Sequence, residues 1–232
     1  MPESKVKYGI RNVYYALLTE TDGVITYGTP VRFPGARSIS LQAQGDEVKW
    51  PADDVTYFQT YANNGYSGSL TMARVIDSFR EDVLNETTDT NGVTSEYSNR
   101  LGKPFALLFE FEGDVKHTRH VLYNCTCSRP DIAGETIGGD KTLEPEEETL
   151  NITASPRVDN SLVKASTPTG SAAYDTWFSA VYTAPTSNEN NVETPGETAN
   201  GGETANGGET ANGGETAGET TTDGETTETG GE

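Results

Sequence analysis

Few residues in this chain have the types and spacing that chemistry requires: two histidines, two cysteines and some short runs of acids. His117 and His120 stand in Asp114-x-x-His117-x-x-His120, which looks superficially like a metal site. In a strand, residues three apart point to opposite faces, so the two rings converge only across a turn, and a zinc site needs a further ligand that this segment does not supply. They read as surface or strand-end histidines. Cys125 and Cys127 fall on one side of an expected strand with Val121 and Tyr123, as small buried hydrophobes. A disulfide between strand residues i and i+2 strains the bond geometry. Asp53-Asp54 and Glu144-x-Glu146-Glu147-Glu148 offer neighbouring carboxylates. A glycosidase needs two acids at a fixed separation across a cleft, and nothing nearby implies a raised pKa, so these read as solvated acids. The chain has no phosphate loop, no serine nucleophile elbow and no Cys/His signature. The sequons at Asn85, Asn124 and Asn151 are acceptors only in a secreted protein. The residues predict no catalytic site, no cofactor and no metal.

The surrounding elements read as β-structure. Period-two alternation in Lys103-Pro-Phe-Ala-Leu-Leu-Phe-Glu-Phe-Glu112 puts Phe105, Leu107, Phe109 and Phe111 on one face, opposite Ala106, Leu108, Glu110 and Glu112. Gly113-Asp114 supplies a turn and 118–128 resumes the alternation, which predicts a hairpin. Weaker strand signals cover 13–18, 24–27, 31–33, 39–41, 55–61, 66–72 and 149–155, punctuated by Asp22-Gly23, Pro34-Gly35, Pro51 and Asn64-Gly65. Many short strands separated by turns argue for a sandwich or barrel. Two helices are expected. One spans 77–84, with Asp77 as N-cap and Phe79 and Val83 four apart; the other follows Tyr174, Trp177, Phe178 and Val181 at i, i+3, i+4 and i+7. Between the first helix and the Phe105 strand, 85–102 is a long polar stretch with one aromatic, Tyr97.

Charge divides the chain further. It carries 36 acids against 16 bases, and eleven of the acids lie in the last 47 residues. Clustered Lys and Arg are what a phosphate-gripping protein needs, so this balance excludes a dominant DNA-phosphate binder. The longest apolar run, 105–109, is far short of the roughly 18 residues that span a bilayer. The N-terminus lacks a leader's apolar segment, so a soluble protein is expected. Residues 1–185 fit one β domain. Residues 186–232 cycle through Gly-Glu-Thr-Ala-Asn-Gly from Gly196, Gly202 and Gly208, with Val192 the one apolar side chain larger than alanine. A segment with nothing to bury against ~1 to 2 kcal/mol per residue of backbone entropy is expected to be disordered. It reads as a solubilising tail, with a bristle or ligand as the other reading.

Eight blocks, in order, carry a resemblance: Lys7-Tyr-Gly-Ile-Arg-Asn-Val-Tyr-Tyr-Ala16, Ile25-Thr-Tyr-Gly-Thr-Pro-Val31, Ala52-Asp-Asp54, Asn63-Asn-Gly-Tyr-Ser-Gly-Ser-Leu70, Phe79-Arg-Glu-Asp-Val-Leu84, Pro104-Phe-Ala-Leu-Leu-Phe-Glu-Phe111, Arg119-His-Val-Leu-Tyr-Asn-Cys125 and Ile152-Thr-Ala-Ser-Pro-Arg157. Together with the aromatic ending Tyr174-x-x-Trp-Phe-x-x-Val-Tyr182, this series resembles the major tail protein family of long, non-contractile-tailed phages and prophages of Gram-positive bacteria. It runs from about residue 5 to 184; the repeat tail departs from the pattern. The resemblance implies a tail-tube-type β-sandwich or barrel with one flanking helix and a short C-terminal helix. It further implies a virion subunit made in the host bacterial cytoplasm, forming hexameric rings that stack into a tube. Tape measure, tail terminator and distal tail proteins would be its partners, and DNA would pass through the lumen without specific binding. An acidic lumen would repel phosphate and let DNA slide. Within 85–102, Thr88, Asn91 and Tyr97 are the candidate inter-subunit contacts, in a loop expected to order against a neighbouring subunit. The competing class is a surface decoration or adhesin module that binds cell-wall glycan.

Overall fold

The computed structural model describes residues 6, 8–136 and 145–184, within the first unit of the chain, Met1–Pro185. The repeat tail and Glu144 lie outside the described residues. The fold is mainly β. In chain order the elements are β1 (Ile10–Thr21), β2 (Val24–Tyr27), β3 (Val31–Arg32), β4 (Ala36–Gln44), β5 (Glu47–Ala52), β6 (Val55–Tyr61), β7 (Gly65–Met72), α1 (Asp77–Asp82), β8 (Thr87–Thr88), β9 (Thr94–Ser95), β10 (Phe105–Phe111), β11 (Arg119–Cys127), β12 (Glu148–Ala154) and β13 (Lys164–Thr167).

The main sheet is antiparallel and runs β2-β1-β10-β11-β12-β7-β4, with β3 added to β1 and β13 to β11. β13 pairs with Arg119 to Leu122 of β11, whereas β12 pairs with Cys125 to Cys127. The sheet forks there. One branch, through β12, β7 and β4, curls until β4 touches β1. The space enclosed by the curl is the larger core, where Tyr15, Leu70, Phe79, Phe105, Leu107 and Ile152 meet. The opposite face of β1, β10 and β11 carries a smaller core of Ala16, Ala106, Leu108, Val121 and Tyr123, closed by Trp177 and Val181. Strand β10 is therefore buried on both faces, including Glu110 at 3% exposure.

The hairpin expected over 103–128 is present as β10–β11, but the shared side of Val121, Tyr123, Cys125 and Cys127 is corrected. Phe105 pairs with Cys125 and Leu107 with Leu122, so β11 spends one extra residue between them. Such a bulge reverses the alternation beyond it. Val121 and Tyr123 face the smaller core, and Cys125 the larger.

Both helices differ from expectation. Helix α1 ends at Asp82, and its N-cap is Ile76 without a side-chain bond, so Asp77 sits in the first turn. Asn85 adopts φ 63°, and the Glu86 amide donates to the Arg80 carbonyl at 3.1 Å, a left-handed closure that stops the helix. The second expected helix is a run of turns, with Trp177 N–H donating to Tyr174 O and Ser179 N–H to Thr176 O. The sheet also holds two of its carbonyls: Arg119 donates to Tyr174 O, and the Tyr123 hydroxyl to Tyr182 O at 2.7 Å. The helical spacing still identified the buried side, Trp177 and Val181. Strands β5, β8, β9 and β13 had no counterpart among the expected elements.

Buried hydroxyls and thiols set an alkaline limit. Burial pushes the Tyr15 hydroxyl up to about 12 from 10.0, with the Asp82 carboxylate that accepts its bond at 2.8 Å adding to the rise. Burial also raises Tyr123 to about 12 and Cys127 to about 12 from 9.0. Groups raised in the fold contribute stability that is full below their unfolded pKa and is lost as pH rises through the folded one. The unfolding midpoint should hold steady up to about pH 9 and fall between about 9 and 12. Chemical denaturation over that range tests this, and an unchanged midpoint would contradict it.

Candidate functional site

Strands β5 and β6 form a separate two-stranded ribbon. Backbone bonds from Asn64 N–H to Gln44 O and from Ala62 N–H to Asp46 O join it to β4 and β7, so the ribbon extends these strands as an arm. At its root, a Cβ on Gly45 would overlap the Ala62 carbonyl, so only glycine allows that approach. At its tip, Asp53 and Asp54 take φ 50° and 61°, left-handed values that Asp tolerates and a tight hairpin turn uses.

The arm has two unlike faces. Glu47 pairs with Tyr61 and Lys49 with Gln59 in the register. On this face the Glu47 carboxylate accepts bonds from Gln59 and the Tyr61 hydroxyl and pairs with Lys49 at 2.7 Å. The other face carries Val48 beside the directly paired Trp50 and Phe58. These three are 49%, 70% and 53% exposed. Tyr57, where β6 spends an extra residue against Trp50 and Pro51, is 79% exposed. Pro51 lies inside β5 at that bulge rather than ending a strand, one of the few sheet positions where proline is accepted. Covering a large apolar side chain is worth about 1.5 to 3 kcal/mol, which this face does not realise in one copy of the chain.

A second feature lies where the curled sheet closes without a ladder. Between β4 and the start of β1 opens a groove of ≈ 540 Å³. Ile10, Ile39, Leu41 and Phe111 line it as half-buried hydrophobes, with Tyr66, Arg37 and Lys164 also at its walls. The Lys164 ammonium donates to the Tyr66 hydroxyl at 2.9 Å and lies 4.8 Å from that ring's centre. Arg37 pairs with Glu147, and Lys164 has no ion pair among the described residues.

The residues singled out from the sequence fall elsewhere. Thr88 is on β8, where its hydroxyl meets that of Thr94 at 3.0 Å. Asn91 is in the turn between β8 and β9, and its amide donates to Asp89 Oδ1 at 2.8 Å. The Val93 and Asn91 amides hold the Asp89 carboxyl below its ordinary range. Tyr97 stands in the following turn, 47% exposed, with the Arg100 guanidinium 4.5 Å from its ring centre. Thr88 and Asn91 thus share a hairpin that excludes Tyr97. The Glu96–Arg129 pair at 2.9 Å and the bond from Asn85 to Leu101 O tie the segment to its own chain. These bonds hold the segment within a single copy.

Asp114 is an Asx turn: its carboxylate accepts from the Lys116 amide at 3.0 Å and the Thr118 amide at 2.9 Å. Thr118 is the main reason its carboxyl titrates low. His117 sits in that turn at φ 46°, while His120 stacks on Phe109 at 5.3 Å. Among the described residues, no three His, Cys, Asp or Glu side chains converge as metal ligands. Glu148 departs from the solvated reading, since it accepts the Val75 amide at 2.6 Å and pairs with Arg80 at 3.1 Å.

No protein-family model matches the chain, and no curated protein matches it. Its own surfaces carry the functional reading. The most distinctive of them, the arm's apolar face, escaped sequence reasoning because Pro51 hid β5. The available signal was the alternation of Val48 with Trp50 opposite an aromatic-rich 55–61.

Proposed function

We propose that this chain is a structural, self-assembling subunit of the tail tube of a long, non-contractile-tailed phage or prophage. Six copies form a ring, and stacked rings form the conduit through which the genome leaves the virion. The observation that carries this reading is the arm, whose Trp50–Phe58 face is uncovered in a single copy. The end strands of the sheet order, β2 and β4, support it, because a closed ring covers open edges with neighbours and removes their aggregation hazard. The tape measure, tail terminator and distal tail proteins are the partners proposed for the tube. The acidic excess fits DNA that slides past without being gripped.

Purified full-length protein, concentrated and viewed by negative-stain electron microscopy, should show rings and tubes of uniform diameter. A monomer at every concentration would overturn the reading. The paired Trp50 and Phe58 also favour a second reading, a decoration or adhesin module that stacks on cell-wall glycan. Its signature is a monodisperse monomer retained by the glycan.

A further inference from the structure

Resting on the self-assembly reading, we propose that the β5–β6 arm of one copy docks in the groove between β4 and β1 of the next. Trp50 and Phe58 lie on the groove's apolar wall, and Asp53 and Asp54 face Lys164.

Both halves of this contact are on one chain, and each lacks what the other provides. The arm presents an uncovered apolar face. The groove is lined by half-buried Ile39, Leu41 and Phe111, and its volume falls in the roughly 300 to 1,000 Å³ range of pockets that seat drug-sized groups. The charges also complement each other. Asp53 and Asp54 are exposed at the tip without an ion pair among the described residues, and the same holds for Lys164 at the groove. An acidic tip disfavours anionic surfaces such as lipid headgroups or DNA as the occupant.

Topology assigns the contact to a second copy. The arm prolongs β4 and β7, and both its strands are exposed almost throughout, so it does not lie back on its own groove. Arm and groove are different patches, which makes the contact heterologous. Repetition of such a contact gives a ring where the rotation closes and a filament where it does not. Among the described strands, β4 forms a ladder with β7 alone. Its free edge can accept a strand of the incoming arm, with main-chain bonds adding affinity and the groove adding selectivity.

Two full-length variants test this. One disables the arm with Trp50→Asp and Phe58→Asp. The other fills and reverses the groove with Ser40→Trp and Lys164→Glu; all four positions are exposed. Each alone should remain a folded monomer under conditions in which the native chain assembles, with an unchanged melting curve. Mixed in equal amounts, they should form a one-to-one dimer and nothing larger, since only one intact arm and one intact groove remain between them. A groove variant that assembles alone overturns the arm-in-groove contact and leaves self-assembly standing, whether the groove then holds the chain's own ends or another molecule. A native chain that never assembles overturns both. In a second series, Asp53→Lys with Asp54→Lys should raise the concentration needed for assembly by roughly tenfold, as expected when a charge pair is lost. Adding Lys164→Glu to the same chain should restore it. Absence of that rescue would remove the assigned pairing.

Discussion

Phe79→Ala is expected to cost about 3 to 5 kcal/mol of folding stability, the range for truncating a large buried aromatic. Phe79 is the fully buried residue of α1 and occupies the centre of an aromatic cluster. Phe33 stacks on it at 4.4 Å and 13°, while Tyr15 and Phe105 meet it edge-on at 5.0 Å and 5.5 Å. Such pairs add about 0.5 to 1.5 kcal/mol each beyond burial. The partners are pinned from behind: Phe105 and Tyr15 belong to paired strands, and Phe33 N–H donates to Val13 O at 2.7 Å. The cavity therefore collapses little, which places the cost toward the upper end. Against a typical total of about 5 to 15 kcal/mol, the variant would be close to unfolding. Urea denaturation should show a lower midpoint with the same slope. A loss below about 1 kcal/mol would show that the neighbours refill the space, contrary to this packing.

Glu110→Ala should be comparably damaging for a different reason. The Glu110 carboxylate accepts Arg11 Nε at 3.0 Å, Asn12 Nδ2 at 2.6 Å and Arg119 Nε at 3.2 Å. Asn12 reaches it because β1 bulges there, with Asn12 at φ 49°. Removing one member of a buried ion pair costs about 3 to 5 kcal/mol, because the remaining charge is left without compensation. Arg119 is the charge most affected. Its guanidinium also lies 3.8 Å from the Tyr174 ring centre and 4.7 Å from that of Phe178, which clamps the 171–182 segment onto the smaller core. Loss of Glu110 should therefore loosen that segment along with lowering global stability. In a Trp50→Phe background, Trp177 becomes the sole tryptophan and its emission should shift to the red before the global transition. Glu110→Met, of similar length and apolar, should not restore stability while both arginines remain. A cost below about 1 kcal/mol would place the pair among solvent-screened ones.

Residues whose environment is set by near neighbours were legible in the sequence. The apolar face of 105–111 needed only its alternation, and β2 and β6 were bounded by their turn residues. Glu110 was not legible. Alternation placed it opposite the apolar face, with Ala106, Leu108 and Glu112, whereas burial of that side comes from 171–182, distant in sequence. The same limit applies to Cys125, whose face depends on a bulge set by pairing with β10. The arm required β5 to be seen as the partner of β6, and the proline within its six residues outweighed the short alternation of Val48 with Trp50.

By itself the sequence determined the class of structure, because period-two burial and turn chemistry are local properties of a chain. It also determined the strong acidic excess, because net charge does not depend on folding. Only the tertiary structure decided that β10 is buried on both faces and that the last turns pack without a helix. It alone decided that an apolar arm and an apolar groove stand apart on the same chain. Each of these follows from which strands pair and where the sheet curls, and pairing between distant segments is a property of the whole chain.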